Sequence, residues 1–473
     1  MRRRIDIWSN MDWFTVTLYL LLIIMGWLNI YSAVYNEEHQ SIFDFSQRYG
    51  KQLIWIVASI VLAAIIMMID SNFFSFFSYT LYGIILFLLI AVLFFGTEIH
   101  GARAWFTFGN IRFQPAEFAK ITTALALSKY LSTFNVKLNT YKTYFRVALI
   151  IFLPFVLVFI QDAGTALVFL AFLIPLYREG LSSAVLLLGV YIIILFILSF
   201  LVDKIFLAAG TILIAMIILW IVHKKFRYVF YAVLIFLAST GLLWLIHEIA
   251  DLNIPFTYIF IAGFIFASIF YFILAYWYKI SRVFLLFVFV LFSIGFTNSV
   301  DYVFNNFLKS HQQTRIMQIM GLEENPQGAG YNVNQSKIAI GSGGLTGKGY
   351  LKGTQTKFDF VPEQSTDFIF STIGEEWGFI GSFMLIALFV TFLLRLIYLA
   401  ERQRSPFSRI YGYGVLSVFL VHFAINIGMT IGLVPVIGIP LPFISYGGSS
   451  LWAFTIMLFI FLKLDVSRLK ELR

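Results

Sequence analysis

An all-α polytopic membrane protein with about fourteen transmembrane helices is the fold class this sequence predicts, and three observations predict it. Of 473 residues, 60% are hydrophobic and only 12% charged, about half the charged share of soluble domains. The apolar residues gather into runs of the length that spans a bilayer. Between the runs, basic residues cluster in alternate turns, the pattern that orients membrane proteins. The net charge of +9 is therefore spread over turns and does not form a stripe for nucleic acid, and the absence of cysteine excludes disulfides, thiolate metal sites and a cysteine nucleophile.

The basic start, MRRRIDIWSNMDW, precedes a long apolar run with no small-residue cleavage site, so it is read as a retained first span. Spans follow near 12–34, 52–70, 77–96, 116–134, 145–160, 164–178, 181–202, 206–223, 228–248, 256–278, 282–304, 368–398, 409–433 and 447–464. Arg2, Lys142, Arg146, Lys224, Lys225, Arg227, Lys279, Arg402, Arg404, Arg409 and Arg468 all fall in turns on one side of this arrangement. That side is expected to be cytoplasmic, with both termini in it. A single membrane-embedded domain over 1–473 is expected.

Two segments on the opposite side are too polar and glycine-rich for ordinary connections: 96–117 and about 305–366. Loops this long are usually functional or disordered, and Tyr331, Ile338, Ile340, Tyr350 and Phe358 argue against disorder. The chemistry is accordingly expected in the second, near Asp367. Its GSGGLTGKGY run is not a phosphate loop, because Ser342 and Gly349 stand where Gly and Ser or Thr are needed.

Glu117 and Lys120, three apart at a helix start marked by Pro115, share one face. They form either a structural ion pair or a substrate contact. Asp162, in QDAGT between two short apolar runs, is read as an N-cap for the helix that follows. Asp367, at the end of a span, is either a helix cap or a general base in a partly desolvated cleft. Glu363 precedes it, and Glu375 and Glu376 lie about two turns deeper, where at least one faces a polar interior. The six histidines show no metal-binding spacing.

The runs NQSKIAIGSGG, GKG, GTQ, VPEQSTDFIF and GEEWGF, with PVIGIPLPFISYGGSS near the end, resemble the SEDS family of peptidoglycan polymerases, its rod-shape branch more than its division branch. The resemblance covers about 11–180 and 281–473. It implies a ten-helix core, to which an inserted helical region of about 181–280 adds about four helices. It also implies a peptidoglycan glycosyltransferase that polymerises lipid II for cell-wall elongation and rod shape, in the bacterial cytoplasmic (inner) membrane with its active site on the extracytoplasmic face. By resemblance, Asp367 matches the family's essential aspartate, Trp105 an important tryptophan, Glu117 and Lys120 a QPSE-x-x-K element, and Asp162 a QPD-x-GT element. Ala104, Ala116, Asn325 and the missing proline before Asp162 depart from the pattern. From position, Arg103, Lys120, Arg315 and Lys337, or a divalent cation such as Mg or Mn, are assigned to the phosphates. Implied partners are lipid II and undecaprenyl-pyrophosphate-linked glycan, a class B penicillin-binding protein, and elongation proteins such as MreC and MreD. A lipid II flippase and a noncatalytic scaffold of the elongation complex are the alternatives.

Overall fold

The structure, a computed structural model, describes residues 7–35, 41–99, 102–109, 111–133, 138, 140–250, 255–280, 283–306, 313, 317, 329–357, 360–434 and 436–468. Each of the fourteen apolar runs folds as helix. In chain order these are α1 (Trp13–Ala33), α2 (Arg48–Met68), α3 (Ser78–Phe95), α4 (Pro115–Leu131), α5 (Tyr141–Gln161) and α6 (Ala163–Arg178). There follow α7 (Ser183–Leu201), α8 (Lys204–His223), α9 (Phe226–Ile249), α10 (Phe256–Trp277) and α11 (Val283–Asn306). After the polar segment and its helix α12 (Ala329–Ser342) come α13 (Ile369–Glu401), α14 (Pro406–Thr430) and α15 (Gly448–Ser467). Among the described residues, twelve are long and apolar enough to cross a membrane. The other two of the fourteen are α4, 17 residues with three charged side chains, and α6, which passes through a 3-10 stretch at Val168–Phe172.

Two compact units emerge from the contacts: Met1–Ser183 with Asn325–Arg473, and Ala184–Glu324. The second begins near the expected insertion point and runs on past 280.

In the first unit α4 lies inside the bundle, packed against α3 and α14 and buried on nearly all sides. Its alanines permit this close approach, since membrane helices associate through packing rather than through expulsion of water. Phe389, Phe392, Phe419, Phe443 and Phe454 interlock at its centre. One end is tied by charge: Asp12 with Arg395, and fully buried Asp465 with Arg402 and Arg468. Segment 96–117 forms a three-stranded antiparallel sheet of β1 (Thr97–Ile99), β2 (Ala102–Phe108) and β3 (Ile111–Phe113).

The expected loop 305–366 is not all loop: it contains α12. Polar Asn332, Asn334, Gln335 and Lys337 mask this helix in the sequence, while Ser336 and Ala339 on its other face are fully buried. The glycine run after it docks onto a break in α13, where Gly378 takes φ +63°, a conformation only glycine adopts cheaply. Carbonyls freed there at Glu375 and Glu376 accept from the amides of Lys348 and Gly349, both at 3.0 Å. The amides of Phe379 and Ile380 donate to Gly344 and Leu345 carbonyls at 2.9 and 3.1 Å. A broken helix persists in a membrane bundle only when its backbone groups are satisfied in this way.

The second unit contains α7 to α11. Gly263 of α10 lets α9 approach: a Cβ there would lie 2.1 Å from the Thr240 methyl, and Ser239 Oγ donates to the Gly263 carbonyl at 2.8 Å.

Candidate active site

Asp367 stands two residues before α13 in a turn built by Glu363, whose φ is +51°. The Glu363 carbonyl accepts from the amides of Thr366 and Phe368 at 3.1 and 3.2 Å. The helix is capped by Phe368 with no side-chain hydrogen bond, so the capping role is not what Asp367 performs. The turn is stapled on three sides. Tyr446 donates its amide to the Ser365 carbonyl at 2.9 Å, and Ser445 Oγ donates to the Thr366 carbonyl at 2.6 Å. Arg48 donates to Ser365 Oγ at 2.7 Å.

The Asp367 carboxylate itself faces the backbone at Gly438, where a Cβ would sit 3.4 Å from Oδ2. Gly438 has φ +75°, so both space and backbone favour glycine there. Asn426 Nδ2 bridges the Asp367 turn and the 436–446 segment, donating to the carbonyls of Asp367 at 2.9 Å and Ile439 at 2.7 Å.

Asp162 enters from the junction of α5 and α6, where it is the predicted N-cap. Its Oδ1 accepts from the amides of Gly164 and Thr165 at 3.0 and 3.3 Å, and its Oδ2 from Thr165 Oγ1 at 2.6 Å. The turn presses on Ile437, whose carbonyl lies 2.1 Å from where a Gly164 Cβ would be. Burial pushes the Asp367 carboxyl up to about 7, and the like charges of Glu363 and Asp162 add to the rise. A carboxyl held there is half ionised near neutral pH, the range a general base requires.

Glu117 and Lys120 form an enclosed pair at 2.8 Å, 3% and 1% exposed. Lys120 Nζ also lies 2.9 Å from His422 Nε2, and His422 Nδ1 lies 3.1 Å from the Pro440 carbonyl. A neutral imidazole accepting from Lys120 and donating to Pro440 satisfies every contact. Lys120 is thus withdrawn from any surface that phosphate could reach, because its ammonium is spent on Glu117 and His422. Of the two readings of this pair, the enclosure fits the structural ion pair.

Glu375 and Glu376 are both buried, at 0% and 3% exposure. Glu375 gathers the loop after the glycine run: Oε1 accepts from Lys348 Nζ at 2.6 Å and from the amides of Thr354 and Gln355 at 2.8 and 2.9 Å. Its Oε2 accepts from the Thr356 amide and hydroxyl at 2.9 and 2.8 Å. Glu376 accepts from Ser32 of α1. Both carboxylates hold structure together. Arg103 and Trp105 lie on β2, Arg103 exposed and 3.5 Å from Glu98, and Trp105 paired across the strands with Thr97. Lys337 is exposed on α12, with Nζ close over Gly432. Arg315 and Asn325 lie outside the described residues. Among the described residues no group of three or more acidic or histidine side chains is placed to hold a metal ion.

Asp162 and Glu363 thus act on Asp367 through their charge, and the Glu117, Lys120 and His422 chain reaches the 436–446 segment at the Pro440 carbonyl. His422, Asn426, Gly438 and Arg48 were not singled out from the sequence. One signal was available for two of them: His422 and Asn426 are four apart on an apolar helix and so share a face.

The family profile for the cell cycle proteins FtsW, RodA and SpoVE matches residues 12–209 and 254–470. The unmatched stretch covers most of α8 and all of α9. The peptidoglycan glycosyltransferase RodA of Treponema pallidum is 31% identical over 94% of this chain and 95% of its own length. The peptidoglycan glycosyltransferase MrdB of Escherichia coli is 30% identical over 91% and 88%. Among solved structures, a chain of a peptidoglycan synthase complex that coordinates polymerization and crosslinking aligns with a TM-score of 0.63 at 25% identity, over 97% of this chain and 98% of that one. The rod shape determining protein RodA of Thermus thermophilus shares the fold, with a TM-score of 0.56 at 23% identity over 97% of both chains.

Proposed function

This chain belongs to the FtsW, RodA and SpoVE family, and from that premise we propose that it is a peptidoglycan glycosyltransferase that polymerises lipid II for cell-wall elongation, with Asp367 as its general base. The observation that carries the assignment is the position of Asp367. Its carboxylate faces the Gly438 backbone between the Asp162 turn and the 436–446 segment, in surroundings that raise its pKa to about 7.

In this reading the ionised Asp367 takes the proton from the acceptor sugar hydroxyl as its oxygen attacks the donor's anomeric carbon. The bond from that carbon to the pyrophosphate oxygen breaks, and the pyrophosphate leaves with the electron pair. A leaving group that is already a stable anion needs no general acid, so one carboxylate suffices where glycosidases use two. What it needs is positive charge. Arg103, Lys337 and Arg315 are the candidates, and Trp105 stands two residues from Arg103 on β2 of the three-stranded sheet. Asp162 and Glu363 act on Asp367 by repulsion, keeping its proton affinity high, while Glu117 and Lys120 position the 436–446 segment. Glu375 and Glu376 hold the glycine-rich segment to α13. The inserted helices are assigned to α7 to α10, within the second unit, which leaves a core of ten helices.

The charge pattern supports placing Asp367 on the extracytoplasmic face of the bacterial inner membrane, with both termini cytoplasmic. No transpeptidase Ser-x-x-Lys element stands on an outer segment, so crosslinking would come from a class B penicillin-binding protein, with MreC and MreD as further elongation partners. The test is polymerisation of lipid II by the purified protein with that partner, comparing wild type with Asp367→Asn, each with and without chelator. Loss of glycan product by about 10²-fold or more is expected for removal of a general base. Equal product from the variant would refute the role, and movement of lipid II across vesicles without bond formation would favour a flippase.

A further inference from the structure

The second unit carries a feature that glycosyl transfer does not use. The turns joining α8 to α9 and α10 to α11 lie side by side at one end. Tyr271 Oη of α10 donates to the Tyr228 carbonyl of α9 at 3.0 Å. Leu219, Ala275, Ile280 and Val283 form one buried cluster with Tyr228 beneath both turns. This juxtaposition brings Lys224, Lys225, Arg227 and Lys279 together, all exposed. Lys224 and Lys279 both stand in left-handed backbone, each with φ +51°.

Among the described residues none of the four has a carboxylate partner, and neither 219–230 nor 271–283 contains Asp or Glu. Exposed Phe226, Tyr276 and Trp277 ring the cluster, as aromatic side chains do at headgroup depth. At the opposite ends of the same helices stand Asp203 with Lys204, and Glu248, so the unpaired basic charge gathers at the first end. Directly beneath the basic end, α8 to α11 line a part-open apolar crevice of about 80 Å³, room for the first few methylenes of an acyl chain. Its lining includes Leu219, Tyr271 and Val283, shared with the cluster under the turns, and reaches past Ala215 and Ala267 to Phe287. A crevice in a membrane bundle that water does not favour forfeits packing contacts unless an apolar chain occupies it.

We infer that this end of the second unit binds an anionic phospholipid, its phosphate headgroup on Lys224, Lys225, Arg227 and Lys279 and an acyl chain in the crevice below. Charge complementarity selects an acidic headgroup, and the apolar lining accepts a chain that every membrane supplies. The end concerned is the one the positive-inside pattern assigns to the cytoplasm.

The test is native mass spectrometry of the delipidated full-length chain titrated with phosphatidylglycerol or with phosphatidylcholine of the same chains. Wild type should retain phosphatidylglycerol preferentially. The quadruple variant Lys224→Gln, Lys225→Gln, Arg227→Gln, Lys279→Gln should lose that preference by at least about tenfold, since each basic group near an anionic surface carries roughly a fivefold factor. Ala267→Phe, which fills the crevice and leaves the charges, should weaken retention of both lipids, with thermal melting checking that it folds. Undiminished phosphatidylglycerol retention in the quadruple variant overturns the inference, as does unchanged retention of both lipids by Ala267→Phe.

Discussion

Replacement of Glu375 tests how the glycine-rich segment is held. Its carboxylate is fully buried and accepts from the amides of Thr354, Gln355 and Thr356, two threonine hydroxyls and the Lys348 ammonium. Glu375→Ala removes every acceptor at once and leaves three amides and a cation facing apolar packing. A buried charged network broken on one side costs about 3–5 kcal/mol. Glu375→Gln keeps Oε1 and turns a donor toward Thr356, whose side chain is 1% exposed, so one buried amide is left unpaired at about 1–3 kcal/mol. Lys348→Met should cost least, because Lys348 is about a quarter exposed and water replaces part of the interaction.

The readout is hydrogen exchange of residues 348–356 together with thermal unfolding. Protection there should fall in the order Ala, then Gln, then the Lys348 variant, while α14 and α15 stay protected. If Glu375→Ala left exchange across 348–356 at the wild-type rate, the carboxylate would not be what holds this segment, and its assignment as structural would fail.

Other perturbations address the site. With Asp367 needed ionised and its pKa raised to about 7, the polymerisation rate should climb about tenfold per pH unit below that value and level off above it. Asp162→Asn keeps the helix cap, since Asn caps as well as Asp, but removes a like charge, so the acid limb should move to lower pH; an unmoved limb would separate the two residues electrostatically. Gly164→Ala drives a Cβ to 2.1 Å from the Ile437 carbonyl, and an overpacking cost of about 1–3 kcal/mol should appear in the melting temperature with reduced polymerisation. Arg402→Ala leaves Asp465 fully buried with Arg468 as its remaining cation, and thermal unfolding should show about 3 kcal/mol of lost stability, toward the low end for a broken buried pair.

How much was legible beforehand varies with the range of the interaction concerned. Twelve of the helices were readable because lipid demands about 20 consecutive apolar residues, a purely local property, whereas α4 and α6 fall short of that length or apolarity. The Asp162 cap was equally local: an acceptor two and three residues ahead of the amides it serves. The Glu117 and Lys120 pair was visible from helical spacing, but its enclosure was not, since that depends on His422, 302 residues later. The same limit applies to α12, whose polar surface hid the two small residues that bury it, and to Glu375, whose partners lie about twenty residues back along a folded loop.

Asp367 shows the division most plainly. Read locally, it was a cap or a base, and only motif resemblance favoured the base. Tertiary structure decided that it caps nothing, because Phe368 takes that position, and that its carboxylate faces the Gly438 backbone within the influence of the Asp162 and Glu363 charges. A pKa depends on burial and on charges nearby in space, and two of those neighbours stand about 70 and 200 residues away in the chain, where no local pattern records them.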